Sequence, residues 1–117
     1  GTIRGIVSGN WEEIGWKKLE LAGLRPFFQL GAFANHGTTR TLLARKAIRQ
    51  ARKSGLISSQ ARISLIGDHE NDVFAAKANG IQAVAVATGL SDTAKLAQAD
   101  PHILLNDLSE LVIETLL

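Results

Sequence analysis

The run Ala83-Val84-Ala85-Val86-Ala87 constrains the fold more than any other stretch of this sequence. It is apolar without alternation, the pattern of a β-strand covered on both faces rather than one with a wet side. Strands of that kind belong to parallel sheets, whose connecting helices lie over the faces. Parallel neighbours also need a long crossover between them, so helices must separate the strands along the chain.

The remaining sequence meets that requirement. Ile3-Arg4-Gly5-Ile6-Val7 reads as a strand ending in the turn Ser8-Gly9-Asn10. A helix from about Trp11 to Ala22 follows, with Trp11, Ile14, Leu19, Leu21 and Ala22 as its apolar contacts. Gly23 caps it and Pro26 prevents continuation. Phe27-Phe28-Gln29-Leu30 reads as a second strand, and Gly31 to Thr39 as a loop without regular structure. Thr38 or Thr39 caps a helix over Arg40 to Ser54, with Leu43, Ala47 and Ala51 as its stripe, Ala44 and Ile48 at the edge, and Gly55 as its stop.

Arg62-Ile63-Ser64-Leu65 reads as a third strand, and a helix through Asn79 with Gly80 as cap leads into the apolar run. Thr88-Gly89 turns that run into a short helix near Ser91, and Pro101 to Leu105 is the last strand. Asp107 with Glu110 forms a capping box for a closing helix, Leu108 to Leu117. The expected fold is α/β, a Rossmann-like parallel sheet with helices on both faces and right-handed crossovers, in one domain over residues 1–117.

Composition narrows the function classes. There is no cysteine, so disulfides and thiolate metal sites are excluded, in keeping with a cytoplasmic protein. No apolar run approaches the roughly 18 residues that span a membrane, and no signal-peptide pattern opens the chain. Methionine is absent, including an initiator, so Gly1 is expected to be a processed or engineered start or the chain a piece of something longer. Charge is uneven: Arg40 to Arg62 carries only cations, at Arg40, Arg45, Lys46, Arg49, Arg52, Lys53 and Arg62, whereas from Ile63 onward only Lys77 and Lys95 oppose the acids. No aromatic platform or nucleic-acid motif accompanies the basic residues, so a solvated face is expected there and no nucleic-acid or membrane partner.

The chemistry converges on Leu65-Ile66-Gly67-Asp68-His69-Glu70-Asn71-Asp72. Gly67 is expected to let the chain turn sharply, with Asp68 at the end of a strand and Asp72 at the N-cap or first turn of a helix. Both carboxylates then lie at the mouth of an open α/β sheet, where such sheets bind ligands. Two neighbouring carboxylates repel unless a cation lies between them, and Mg²⁺ suits oxygen ligands. Helix capping explains the same residues without a metal. His36, His69 and His102 show no partner in the sequence and read as loop residues.

Three motifs in this order resemble haloacid-dehalogenase-like (HAD) phosphatases of the phosphoglycolate-phosphatase-like branch. They are Ile6-Val7-Ser8-Gly9-Asn10, Gly67-Asp68-His69-Glu70-Asn71-Asp72, and Val84-Ala85-Val86-Ala87-Thr88-Gly89. Lys18-Leu19, Ala22-Gly23-Leu24 and Gly31-Ala32-Phe33 extend the likeness over nearly the whole chain. The resemblance implies that Ser8, with Gly9 and Asn10, holds a substrate phosphoryl group. A site of short donors at a strand end suits an anion; the alternative is that Ser8 caps the helix after it. Arg40 matches the family's basic third motif, normally a lysine, with Arg45 and Lys46 as further candidates. Asp68 matches the Mg²⁺ ligand and Asp72 its partner.

The resemblance is incomplete. The family's first motif, an Asp-x-Asp pair that supplies the nucleophile and the general acid–base, occurs nowhere in this sequence, and no helical cap is present. Complete, such a core hydrolyses a small phosphomonoester through an aspartyl-phosphate; this chain alone is expected to be inactive. The missing strand would lie mid-sheet, between the strands starting near Ile3 and Ile63, so a second copy or a missing N-terminal segment is expected to complete the sheet. The alternative is a non-catalytic module that binds phosphate or a protein.

Overall fold

The computed structural model describes residues 2–87, 92–107 and 109. Strands alternate with helices: β1 (Gly5–Val7), α1 (Glu12–Leu21), β2 (Leu30–Ala32), α2 (Arg40–Lys53), β3 (Ser64–Gly67), α3 (Glu70–Ala78), β4 (Gln82–Val86), α4 (Thr93–Gln98) and β5 (Ile103–Leu105). Every pairing is parallel, β1 with β2 in one sheet and β3-β4-β5 in another. The fold is therefore α/β, with parallel sheets flanked by helices. The chain divides into two compact units, Gly1–Ala61 and Arg62–Leu117.

In the first unit β2 is buried on both faces. Leu30 and Ala32 join Leu43, Ala47 and Ala51 of α2 in one core cluster, with Ile3, Val7 and Ile57 at its margin. Between them Gly31 points the other way, as strand alternation requires, toward Trp16, Phe33 and Ile6. Phe33 is fully buried and meets the Trp16 ring edge-on at 5.1 Å. Arg25 lays its guanidinium 3.6 Å over that same indole, an arrangement in which cation and ring attract.

Two sequence expectations are corrected here. The second strand is Leu30–Ala32, not Phe27–Leu30, because Pro26 sits within a 3-10 turn over Arg25–Phe27 that leaves Phe27 exposed. Small Gly31 and Ala32 fit beneath the helices where phenylalanines do not, and the loop after them holds a second 3-10 turn at Ala34–His36. The other correction concerns α1. Trp11, Ile14, Leu21 and Ala22 are exposed; of the expected contacts Leu19 is half-buried, and the helix docks through it together with buried Gly15 and half-buried Trp16. A Cβ at Gly15 would strike the Phe33 ring, so the helix approaches through the residue with no side chain.

The second unit is built from small residues. Val73 and Ala76 of α3 pack on Ala83 and Ala85 of β4, with Leu96 and Ala99 closing the cluster. All of β4 beyond Gln82 is buried, as its unbroken apolar run requires. The third strand begins two residues later than the sequence suggests and ends on Gly67. Gly67 is therefore strand and not a sharp turn, and it has no positive φ.

Caps mark most helix ends as expected. Thr39, of the two candidates, accepts the Leu42 N–H at 3.2 Å, and Asp92 accepts the Ala94 N–H at 2.9 Å. Gly23, Gly55 and Gly80 take the left-handed conformation that ends α1, α2 and α3. Asp107 accepts the Ser109 N–H at 2.7 Å. Thr88-Gly89, Ser91, Glu110 and the closing helix lie outside the described residues.

Candidate functional site

Ser8 follows the last residue of β1, and its N–H donates to the Ala32 carbonyl at 3.0 Å, which locks the turn to the end of β2. Its Oγ accepts the Asn10 N–H at 3.1 Å. The capping alternative fails, because the N-cap of α1 is Trp11 and the side chain that reaches the helix's first N–H is that of Asn35, whose Oδ1 accepts from Glu12 at 3.3 Å. The Asn10 carbonyl accepts the Ala34 N–H at 2.9 Å, so the turn is tied down at both ends. Gly9 is exposed, has open space around it, and its N–H finds no acceptor among the described residues. The result is a fixed turn with a hydroxyl and an available N–H, chemistry suited to a small anion.

The adjoining helix terminus contributes less than its position suggests. The first turn of α1 carries Glu12 and Glu13, which offset the positive end of the helix dipole. The nearest cation that the turn engages is Lys18, whose Nζ donates to Asn10 Oδ1 at 3.4 Å. Sequence reasoning gave Lys18 no role. The signal was there: Lys18 lies about two helical turns beyond Asn10, within reach of a long side chain folding back.

Arg40 is exposed and is the first residue of α2, after its Thr39 cap. Because β1 and β2 run parallel, the Ser8 turn and the segment leading to Arg40 both leave the sheet at its carboxyl edge. Arg45 and Lys46 lie further along the helix, in its second turn.

In the second unit Asp68 directly follows β3, at the carboxyl edge expected of it. It is exposed, and its carboxylate has no partner among the described residues. Asp72 behaves differently. It is buried in the first turn of α3, and its Oδ2 accepts the His69 N–H at 3.2 Å. His69 is the N-cap, with Nδ1 accepting the Asn71 N–H at 3.0 Å and lying 3.7 Å from Glu70 Oε2. His69 is thus a structural cap and not an idle loop residue. His102 is corrected in the same way, because its Nδ1 accepts the Ala83 N–H at 2.8 Å. His36 ends the second 3-10 turn.

Of the two readings of the acidic loop, Asp72 therefore serves as a helix-capping group, whereas Asp68 does not. Among the described residues no three His, Cys, Asp or Glu side chains come together as a metal site. Mg²⁺ does not demand such a cage: it keeps several waters and is held by one or two carboxylates plus substrate phosphate. One exposed, unpartnered carboxylate backed by a fixed second one fits that habit.

The profile of the HAD-hydrolase-like family matches residues 34–111, which includes the acidic loop and most of the chain. The chain belongs to the HAD-hydrolase-like family. Among solved structures, this HAD-like chain is similar to a Clostridium difficile protein assigned as a phosphatase, at TM-score 0.81 and 17% identity, covering 100% of this chain and 54% of that one. A haloacid-dehalogenase-like hydrolase of Streptococcus pneumoniae superposes at TM-score 0.72 with 18% identity, over 88% of this chain and 47% of the other. A Clostridium acetobutylicum protein assigned as a phosphatase gives TM-score 0.69 and 28% identity, over 89% of this chain and 47% of that one. The HAD-like chain thus spans about half the length of the structures it matches. Comparison with curated protein sequences finds no match. Among the described residues no helix is long and apolar enough to cross a membrane.

Proposed function

We propose that this chain carries the phosphate-binding and metal-binding parts of a HAD-like phosphatase core. In its complete form that core hydrolyses a small phosphomonoester with Mg²⁺, through an aspartyl-phosphate. The observation that carries the reading is Asp68, an exposed carboxylate without a partner at the carboxyl end of a parallel strand. A structural aspartate is expected to be engaged, as Asp72 is. Here Asp68 is the Mg²⁺ ligand and Asp72 orients the loop behind it.

The Ser8 hydroxyl, the Gly9 N–H and Asn10 receive the phosphoryl oxygens, and Arg40 offsets their charge. Mg²⁺, when bound, supplies further charge neutralisation at phosphoryl oxygen. The chain by itself is inactive in this reading, because no Asp-x-Asp supplies a nucleophile. Phosphate-monoester hydrolysis needs up to roughly 10²¹-fold acceleration, and a single electrostatic donor supplies about 10²–10³. Among the described residues β1 pairs only with β2, and β3 only with β4, so each presents an unpaired edge. A second copy or an additional N-terminal segment would pair those edges. The absence of cysteine suits a cytoplasmic protein.

The test is Mg²⁺-dependent hydrolysis of an aryl phosphate by the purified chain and by Asp68→Asn. No turnover from the chain, with turnover on adding a segment that brings an Asp-x-Asp strand, is the expected result. Turnover by the chain alone, lost in Asp68→Asn, would show that a nucleophile lies within these residues and overturn the assignment. A second reading, a non-catalytic module binding phosphate or a protein, is favoured by the missing Asp-x-Asp alone. It predicts phosphate binding at Gly9 with no activity under any reconstitution.

A further inference from the structure

The side of α2 turned away from the core is a continuous cationic surface. At about 100° per residue, Arg45, Lys46, Arg49, Arg52 and Lys53 fall within an arc of about 120°. The buried residues Leu43, Ala44, Ala47 and Ala51 occupy the opposite side. No acidic residue stands anywhere on this helix. Lys46, Arg49, Arg52 and Lys53 form no salt bridge among the described residues. Like charges three and four residues apart, such as Arg45 with Arg49 and Arg49 with Lys53, destabilise a helix. The arrangement weakens the isolated helix, and an external polyanion would turn that repulsion into attraction.

We infer that this face binds the phosphodiester backbone of double-stranded nucleic acid, without reading bases. Two observations separate this partner from others. A membrane surface or a helix-binding groove engages the apolar side of a basic amphipathic helix. Here that side is consumed by Leu30, Ala32 and the rest of its own core, and Leu42 is the one apolar residue within the cationic arc. Charge density is the other. The five cations span about 12 Å of helix axis. A duplex offers one phosphate charge per roughly 1.7 Å over both strands, so about three or four on the side facing the helix over that length. An extended acidic peptide turns every second side chain to one side, about one carboxylate per 7 Å. The helix matches the duplex in density. An aromatic platform is needed for stacking on single-stranded bases, not for contacting a backbone, so its absence does not count against this partner.

The experiment is fluorescence polarisation of the chain with a labelled duplex DNA of about 20 base pairs and arbitrary sequence, titrated from about 25 to about 100 mM salt. Four phosphate contacts, from Lys46, Arg49, Arg52 and Lys53, give a slope of log affinity on log salt of about −3.6, roughly a 150-fold loss over that range. The double variant Arg49→Gln/Arg52→Gln should bind more weakly and flatten the slope by about 2. Its melting temperature, followed by circular dichroism, should be unchanged or raised. Absence of binding at the lowest salt, or a variant with unaltered affinity and slope, overturns the inference. So does displacement of the duplex by poly-glutamate at a lower concentration of charge than unlabelled duplex requires, which would point to an acidic protein. Binding to phosphatidylserine vesicles without binding to the duplex would point to a membrane and overturn it as well. Neither substituted arginine belongs to the phosphatase site, so failure here leaves that reading untouched.

Discussion

The Asp72 carboxylate occupies the space that a Cβ on Gly67 would need. The last residue of β3 and the first turn of α3 are therefore one unit: the strand must end on glycine for the helix to fold its buried carboxylate back beneath it. Gly67→Ala is predicted to destabilise the chain by about 1–3 kcal/mol through overpacking. A lowered denaturant midpoint with unchanged slope would register it. An unchanged midpoint would mean that Asp72 can move aside at no cost.

Gly15 tests the same logic in a helix, with opposing terms. Alanine in place of glycine ordinarily stabilises a helix interior by about 1 kcal/mol. Here the added methyl meets the Phe33 ring, which is fully buried and has nowhere to go. Steric conflict should win, and Gly15→Ala should lower stability by about 1–2 kcal/mol net. A stabilised variant would show that α1 can ride outward from the sheet.

Asp68 and Asp72 should separate cleanly under mutation. Asp68→Asn removes an exposed, unpartnered carboxylate and is expected to change stability by less than about 0.5 kcal/mol. It should nonetheless abolish Mg²⁺-induced shifts of the amides of residues 66–72 in a heteronuclear NMR titration. Asp72→Ala removes a buried acceptor of the His69 N–H and should cost about 1–3 kcal/mol. Equal effects of the two changes on stability would refute the division of labour.

Lys18 offers a fourth prediction, because it is the cation that the Ser8-Gly9-Asn10 turn already touches. Lys18→Gln should weaken inorganic phosphate binding several-fold, read from the Gly9 amide shift, while leaving the fold intact. Losing one exposed charge near an anion in water is worth about 1 kcal/mol or less. Unaltered phosphate shifts would leave Arg40 as the cation that matters.

Much of this was legible in the sequence, and the failures share one cause. The order of elements, the buried stripe of α2 and the enclosed β4 all follow from patterns in which the residue type itself carries the information. The placement of β2 and the docking face of α1 do not. Both depend on what glycine and alanine leave empty, so the phenylalanines draw the expected strand two or three residues too early and the large side chains of α1 read as contacts. Asp68 and Asp72 stand out equally by their spacing, and the difference in their commitment is invisible there: a carboxylate's neighbours across a turn are not a property of its spacing. His69 and His102 show the same limit, since an imidazole that accepts a backbone N–H leaves no periodic trace.

The stretch from β3 through α3 to β4 is continuous in sequence, over Ser64–Val86, and its packing is mostly alanine against alanine. Contacts so near in sequence need only short loops to close, which is the condition for rapid folding. This βαβ segment should therefore assemble ahead of the pairing of β1 with β2, which must close a longer span. Pulse-labelled hydrogen exchange would then protect the β4 amides before those of β2. The loop bearing Asp68 would be set early, before the rest of the chain has been ordered.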